Sequence, residues 1–150
     1  MTMTKSTNKI ALLFTACLSL FSSATLAQGL ENTSWQLVTI HGFNDTVFTP
    51  SNPESYLLRF RMENRLQIEA DCNQAGATYD HQEESLSITE LVTTRKLCIA
   101  PSLFNRYIMN LERAVSFTQS GDTLIVRTSS DSDWMEFEPY VFVPNIPGRN

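Results

Sequence analysis

The side chains with the widest chemical reach in this 150-residue chain are three cysteines, Cys17, Cys72 and Cys98, and two histidines, His41 and His81. Cys72 with His81 has the composition of a thiolate–imidazole nucleophile. The two later cysteines and both histidines also have the donor atoms for zinc, but their spacing follows no zinc-finger pattern. Glu83 and Glu84 are adjacent acids. Neighbours on an extended chain point to opposite faces, so this pair cannot flank one glycosidic bond. Asp131-Ser132-Asp133 places two acids on a short turn, without the spaced oxygen ligands and later Glu of a calcium loop. No Gly-x-Ser-x-Gly elbow and no Gly-rich phosphate loop occur. These residues assemble no catalytic constellation. The expectation is a protein that is not an enzyme and takes no cofactor or metal.

The fate of the cysteines depends on the first 27 residues. Lys5 and Lys9 precede an apolar run, Ile10 to Phe21, and small residues lead to Thr25-Leu26-Ala27. A basic start, an apolar middle and small residues before a cleavage point describe a secretory signal peptide. The run falls short of the roughly 20 residues of a membrane span. The expected mature chain is residues 28–150, one domain, in the periplasm or secreted. The alternative is an outer-membrane lipoprotein through Cys17, since Phe14-Thr15-Ala16-Cys17 loosely resembles a lipobox. It is the weaker reading, because Phe14 stands where that motif wants Leu, Val or Ile and the apolar run continues past Cys17. Cleavage after Ala27 removes Cys17 and leaves Cys72 and Cys98. Two cysteines in an exported domain read as one disulfide, with two reduced core thiols as the alternative.

Net charge is −5 for the whole chain and −7 once Lys5 and Lys9 are lost. An acidic chain lacks the basic footprint of a nucleic-acid binder. The acids are scattered, which reads as a solvated surface rather than an acidic binding tail. No second apolar stretch approaches spanning length, and a monomer with no membrane span is expected.

Around these residues the pattern is mostly that of strands. Tyr56, Leu58, Phe60 and Met62 alternate with polar residues, as do Leu66, Ile68, Ala70 and Cys72. Period-two alternation marks strands with one face in a core. Pairing Met62 with Leu66 predicts a hairpin with the loop Glu63-Asn64-Arg65. That register buries Leu58, Phe60, Met62, Leu66, Ile68 and Ala70, exposes Arg59, Arg61, Gln67 and Glu69, and sets Arg59 opposite Glu69. Ser34–His41 reads as a strand with Trp35, Leu37 and Thr39 on one face and Val38 and Ile40 on the other. Cys72–Gly76 reads as a turn. Ala77–Tyr79, Ser85–Ile88, Leu91–Thr94, Thr123–Thr128 and Trp134–Pro139 read as further short strands. Leu103, Phe104, Tyr107, Ile108, Leu111 and Val115 recur at helical spacing, which predicts one amphipathic helix starting near Pro101. About eight short strands, one helix and no βαβ alternation predict a mainly β fold, a small antiparallel barrel or curled sheet with the helix packed on it.

The landmarks Trp35-Gln36-Leu37, Cys72-Asn73 followed by Gly76 and Tyr79, Thr94-x-x-x-Cys98 ahead of a helix, and Gly121-Asp122-Thr123-Leu124 occur in order. In these the chain resembles the META domain, also called the HslJ-like domain, over about residues 31–139, with 140–150 as a tail. The resemblance implies a lipocalin-like barrel with one helix, an envelope location, a link to heat shock and antibiotic resistance, and no accepted enzymatic activity. Two departures stand out: Asp71 replaces the usual Gly before the Cys-Asn pair, and Lys96-Leu97 replaces Met-Ala before the second Cys. Asn73 is expected to hold a turn through its side-chain amide.

Three functions compete at this level. The first is an envelope protein that supports the cell under stress by binding an unknown envelope partner. The second is a small secreted inhibitor of a cell-wall or proteolytic enzyme, working through the Thr46–Pro53 loop or the Ser129–Asp133 turn. The third is a binder of hydrophobic small molecules in a barrel cavity. A large internal cavity favours a small ligand, and a filled interior with an ordered protruding loop favours a macromolecular partner.

Overall fold

Alternating apolar residues commit most of the chain to strands that need a shared interior. A computed structural model, which describes residue 2 and residues 29–142, shows how that interior is enclosed. Nine strands, β1 (Ser34–Gly42), β2 (Thr46–Phe48), β3 (Tyr56–Phe60), β4 (Arg65–Ala70), β5 (Asn73–Gln82), β6 (Ser85–Thr93), β7 (Ala114–Ser120), β8 (Thr123–Thr128) and β9 (Trp134–Pro139), form one antiparallel sheet. The helix α1 (Phe104–Glu112) joins β6 to β7. β1 pairs with β3 near its start and with β9 along its length, which closes eight strands into a barrel. β2 folds back on the far end of β1 and lies outside the closed ring.

The β6–β7 seam is the weakest, with one paired position, Ser85 with Ser116. α1 packs beside it and closes that end of the barrel, burying Tyr107, Ile108 and Leu111. The Tyr107 ring meets Tyr56 edge-on, with centroids 5.6 Å apart. Leu30, just ahead of β1, is fully buried in the same core. Trp35, Leu37, Leu58, Phe60, Tyr79 and Phe137 project inward from the wall and are almost wholly shielded. Large side chains therefore fill the barrel, as small barrels require.

Several local expectations are corrected. Phe60, not Met62, faces Leu66, so the β3–β4 loop slides to Met62-Glu63-Asn64. Glu63 and Asn64 both take left-handed backbone angles there, φ 58° each. Met62 becomes a loop residue and is 60% exposed. A two-residue slip keeps Leu58, Phe60, Leu66, Ile68 and Ala70 buried and Gln67 exposed as predicted, but Arg61 and Glu69 are half-buried, and Cys72, expected on the core face, sits in the turn and is exposed. The slip also sets Arg59 opposite Gln67. Arg59 reaches Glu69 diagonally as an ion pair and lies under the Tyr140 ring, so it is half-buried instead of exposed. In β1 a bulge between Leu37 and Thr39 shifts the alternation and turns Ile40 into the core. Residues 73–76 belong to β5, and the turn is confined to Asp71-Cys72. β6 is one strand through Glu90, which absorbs the irregularity with φ 54°. The helix starts at Phe104, and Val115 lies on β7, partly exposed. Residues 3–28, with Cys17 and the cleavage point expected after Ala27, and the tail beyond residue 142 lie outside the described residues.

The filled core also dictates an alkaline limit. The Tyr107 hydroxyl is buried without a protein partner, and burial pushes its phenol well above the usual value near 10. The folded state thus keeps a proton that the unfolded chain releases. Stability is full below pH 10 and falls as pH rises beyond it, by up to about 1.4 kcal/mol per pH unit. Urea unfolding midpoints should drop between pH 9 and pH 11. Equal midpoints would contradict the burial argument.

Candidate functional site

The turn from β4 to β5 needs a left-handed residue, and Asp71 supplies it with φ 60°. Glycine takes that angle at least cost, and Asp tolerates it better than most residues. This is the position where the resemblance to the META domain leads one to expect Gly. The turn delivers Cys72 and Asn73 to the helix end of the barrel, opposite the segment that leaves β6. Cys72 and Cys98 are bonded there, with Cα atoms 5.5 Å apart.

Asn73 is almost fully buried and its amide is used on both sides. Nδ2 donates to the Lys96 carbonyl (3.1 Å) and to Cys98 Sγ (3.2 Å). Oδ1 accepts from the Lys96 N–H (2.7 Å) and the Thr94 hydroxyl (2.9 Å). One side chain thereby satisfies both backbone groups of Lys96, work that a strand partner would do elsewhere. Downstream, the Leu103 N–H donates to the Tyr56 hydroxyl at 2.9 Å. The connection from Thr94 to Leu103 has no regular structure but is fastened at three points.

What this fastened loop displays is apolar. Leu97 is 99% exposed and Ile99 is 92% exposed, on either side of the anchored Cys98. Arg95 and Lys96 are exposed beside them. Sequence reasoning missed this surface. The signal was present: Cys98 is held by its bond to Cys72, and an extended chain turns residues 97 and 99 to the side opposite residue 98.

The other singled-out residues lie elsewhere. Trp35 and Tyr79 are core residues. Trp35 Nε1 donates to the Thr33 hydroxyl (2.8 Å), and the Tyr79 hydroxyl donates to the Arg61 carbonyl (3.3 Å). Gly76 sits in the β5 wall, where an added Cβ would find its nearest neighbour, the Leu66 carbonyl oxygen, 3.9 Å away. His41 stacks on Trp134 with ring centroids 3.6 Å apart. His81 lies between Tyr79 and Phe117, each 6.0 Å away. Cys72 and His81 stand near opposite ends of β5, roughly 30 Å apart by the usual strand rise, and Cys72 is already bonded. Residues 46–48 are strand β2, and the 129–133 turn is knotted by its own hydrogen bonds, Thr128 to the Asp133 carbonyl among them. Among the described residues, no group of three His, Cys, Asp or Glu side chains gathers to hold a metal, and no helix is long and apolar enough to cross a membrane.

Asn73→Ala should lower unfolding free energy by about 2–3 kcal/mol, because the Lys96 backbone loses its partners. Chemical denaturation measures it. An unchanged midpoint would show that the amide does not hold the loop.

A closed antiparallel barrel with a helix across one end and a disulfide-fastened outer loop defines a small β-barrel domain. The META domain model matches residues 28–139, and the chain belongs to that family. No curated protein matches it. Solved structures share the architecture. The NMR structure of a protein from Burkholderia xenovorans is 18% identical, with a TM-score of 0.63, covering 75% of this chain and 85% of that one. The crystal structure of a DUF4847 family protein from Bacteroides vulgatus is 13% identical, with a TM-score of 0.53, covering 71% of this chain and 92% of that one. At these identities the likeness is one of fold.

Proposed function

We propose that this META-domain chain is a non-enzymatic exported envelope module whose act is binding, performed by its outer surface and centred on the Thr94–Leu103 loop. One observation carries the reading: an irregular loop is held rigid by a disulfide and a buried Asn, yet its tip offers two bare aliphatic side chains to solvent. Bare aliphatics on a fixed loop lose little conformational entropy on binding, which favours recognition. A hydrophobic ligand inside the barrel is disfavoured, because the inward positions are filled by Trp35, Phe60, Tyr79 and Phe137. Open depressions lie on the outside instead, such as a groove of about 520 Å³ bordered by Val38, Asp122, Glu136 and Val141.

The inhibitor reading is retained on the same observation, with the active loop moved from residues 46–53 or 129–133 to Arg95–Ile99. His41 and His81 have aromatic partners, and their replacement by Ala is expected to change stability alone.

A photo-crosslinking residue placed at Leu97 in cells should give discrete adducts. The same residue at Phe43, which is 72% exposed on another part of the surface, should give none. Adducts from Phe43 and none from Leu97 would overturn the assignment. A purified domain that turned over an envelope substrate, and lost turnover on His81→Ala while folded, would overturn the non-enzymatic reading.

A further inference from the structure

The chemistry of the loop's partner follows from what stands beside the two aliphatic residues. Arg95 and Lys96 are the only adjacent cations in the chain, and Lys96 is the only lysine beyond the leader. Elsewhere in the barrel Arg59 pairs with Glu69, Arg65 pairs with Glu63 and Arg106 lies over the Phe48 ring, while Arg61, Arg113 and Arg127 stand singly, with no cation next to them in sequence. Neither Arg95 nor Lys96 makes an ion pair among the described residues, and both are exposed at the base of Leu97 and Ile99. An acidic protein therefore concentrates two free positive charges at the spot where two aliphatic side chains protrude.

From this juxtaposition we infer that the Arg95–Ile99 loop is a docking point for an anionic lipid surface. Leu97 and Ile99 enter the boundary between headgroups and acyl chains, while Arg95 and Lys96 stay at the level of the lipid phosphates. That division matches how basic-apolar surface segments engage bilayers. The tip offers side chains without hydrogen-bonding groups, which suits a fluid apolar layer. The fastening by Cys72–Cys98 and Asn73 keeps the tip extended, so that insertion orders nothing further. Four residues make a weak and reversible contact, and the acidic remainder of the barrel keeps the rest of the molecule off the surface. The inference rests on the surface-binding reading above and names its partner.

Vesicle co-sedimentation of the folded domain, residues 28–150, tests it, with phosphatidylethanolamine–phosphatidylglycerol vesicles against phosphatidylcholine vesicles. Each cation near an anionic surface contributes about fivefold in partitioning. R95Q/K96Q should accordingly lose roughly twentyfold on the anionic vesicles and change little on the zwitterionic ones. Raising salt should weaken wild-type binding to the anionic vesicles towards the level of R95Q/K96Q. L97S/I99S should lose partitioning on both vesicle types, with an unchanged thermal midpoint showing that it is folded. Tryptophan at Leu97 should shift its emission to the blue when anionic vesicles are added, and tryptophan at Phe43 should not. Equal wild-type partitioning onto the two vesicle types, or wild-type partitioning of either double variant onto the anionic vesicles, overturns the inference. Discrete protein adducts from Leu97 in cells, with no vesicle binding, also overturn it while sustaining the surface-binding reading. Absence of both adducts and vesicle binding removes the two together.

Discussion

Phe60→Ala is expected to lower the free energy of unfolding by about 3–5 kcal/mol, the usual range for deleting a large ring from a packed core. Phe60 ends β3, is fully buried and faces Leu66 across the hairpin. Its ring meets Tyr79 edge-on with centroids 4.9 Å apart. The barrel wall limits how far neighbours can collapse into the space left by the ring, so the cavity cost adds to the lost burial. Urea unfolding of the variant measures the effect. Met62→Ala is the matched control, because Met62 sits in the loop and should cost under about 0.5 kcal/mol, as surface changes do. Similar losses for the two variants would contradict the observed register and restore the one that pairs Met62 with Leu66.

Cys98→Ser is expected to cost about 2–5 kcal/mol. The bridge spans 26 positions in sequence. Closing a loop of that length removes on the order of 3–4 kcal/mol of chain entropy from the unfolded state in the simplest model. Here the bond also locates the segment whose Lys96 backbone is bonded to Asn73. Loss of the bridge should therefore have a local signature beside the global one. Proteolysis within residues 95–100 should accelerate more than proteolysis elsewhere. Denaturation with and without reductant, and mapping of the first cleavage sites, distinguish the two parts. A reduced protein as stable and as resistant as the oxidised one would show that Asn73 alone suffices.

Much of the barrel was legible in sequence because strand periodicity is local. Leu58, Phe60, Leu66, Ile68 and Ala70 fall on the buried face in any register that differs by two residues. The amphipathic spacing of Tyr107, Ile108 and Leu111 marked the helix for the same reason. The slips occur where one residue leaves its usual backbone region. Glu63 and Asn64 adopt left-handed angles and slide the hairpin, Asp71 does so and ends a turn early, and a bulge after Leu37 redirects Ile40. Non-glycine residues at positive φ carry no reliable sequence mark, because their cost is met by contacts made after folding.

The candidate site divides along the same line. Counting the cysteines beyond the expected leader singled out Cys72 and Cys98, and Asn73 was legible as a residue that ties backbone. That its amide would bond Lys96, 23 positions on, depended on the antiparallel descent of β5 beside β6. The exposure of Leu97 and Ile99 depended on it too. Sequence by itself determined which residues prefer strand, helix and core, because those preferences follow from periodicity and side-chain chemistry within a few positions. Only the tertiary structure decided that β1 meets β9 to close the barrel, that the interior is filled, and that two aliphatic residues are left facing water. Those outcomes depend on which distant segments occupy the same space.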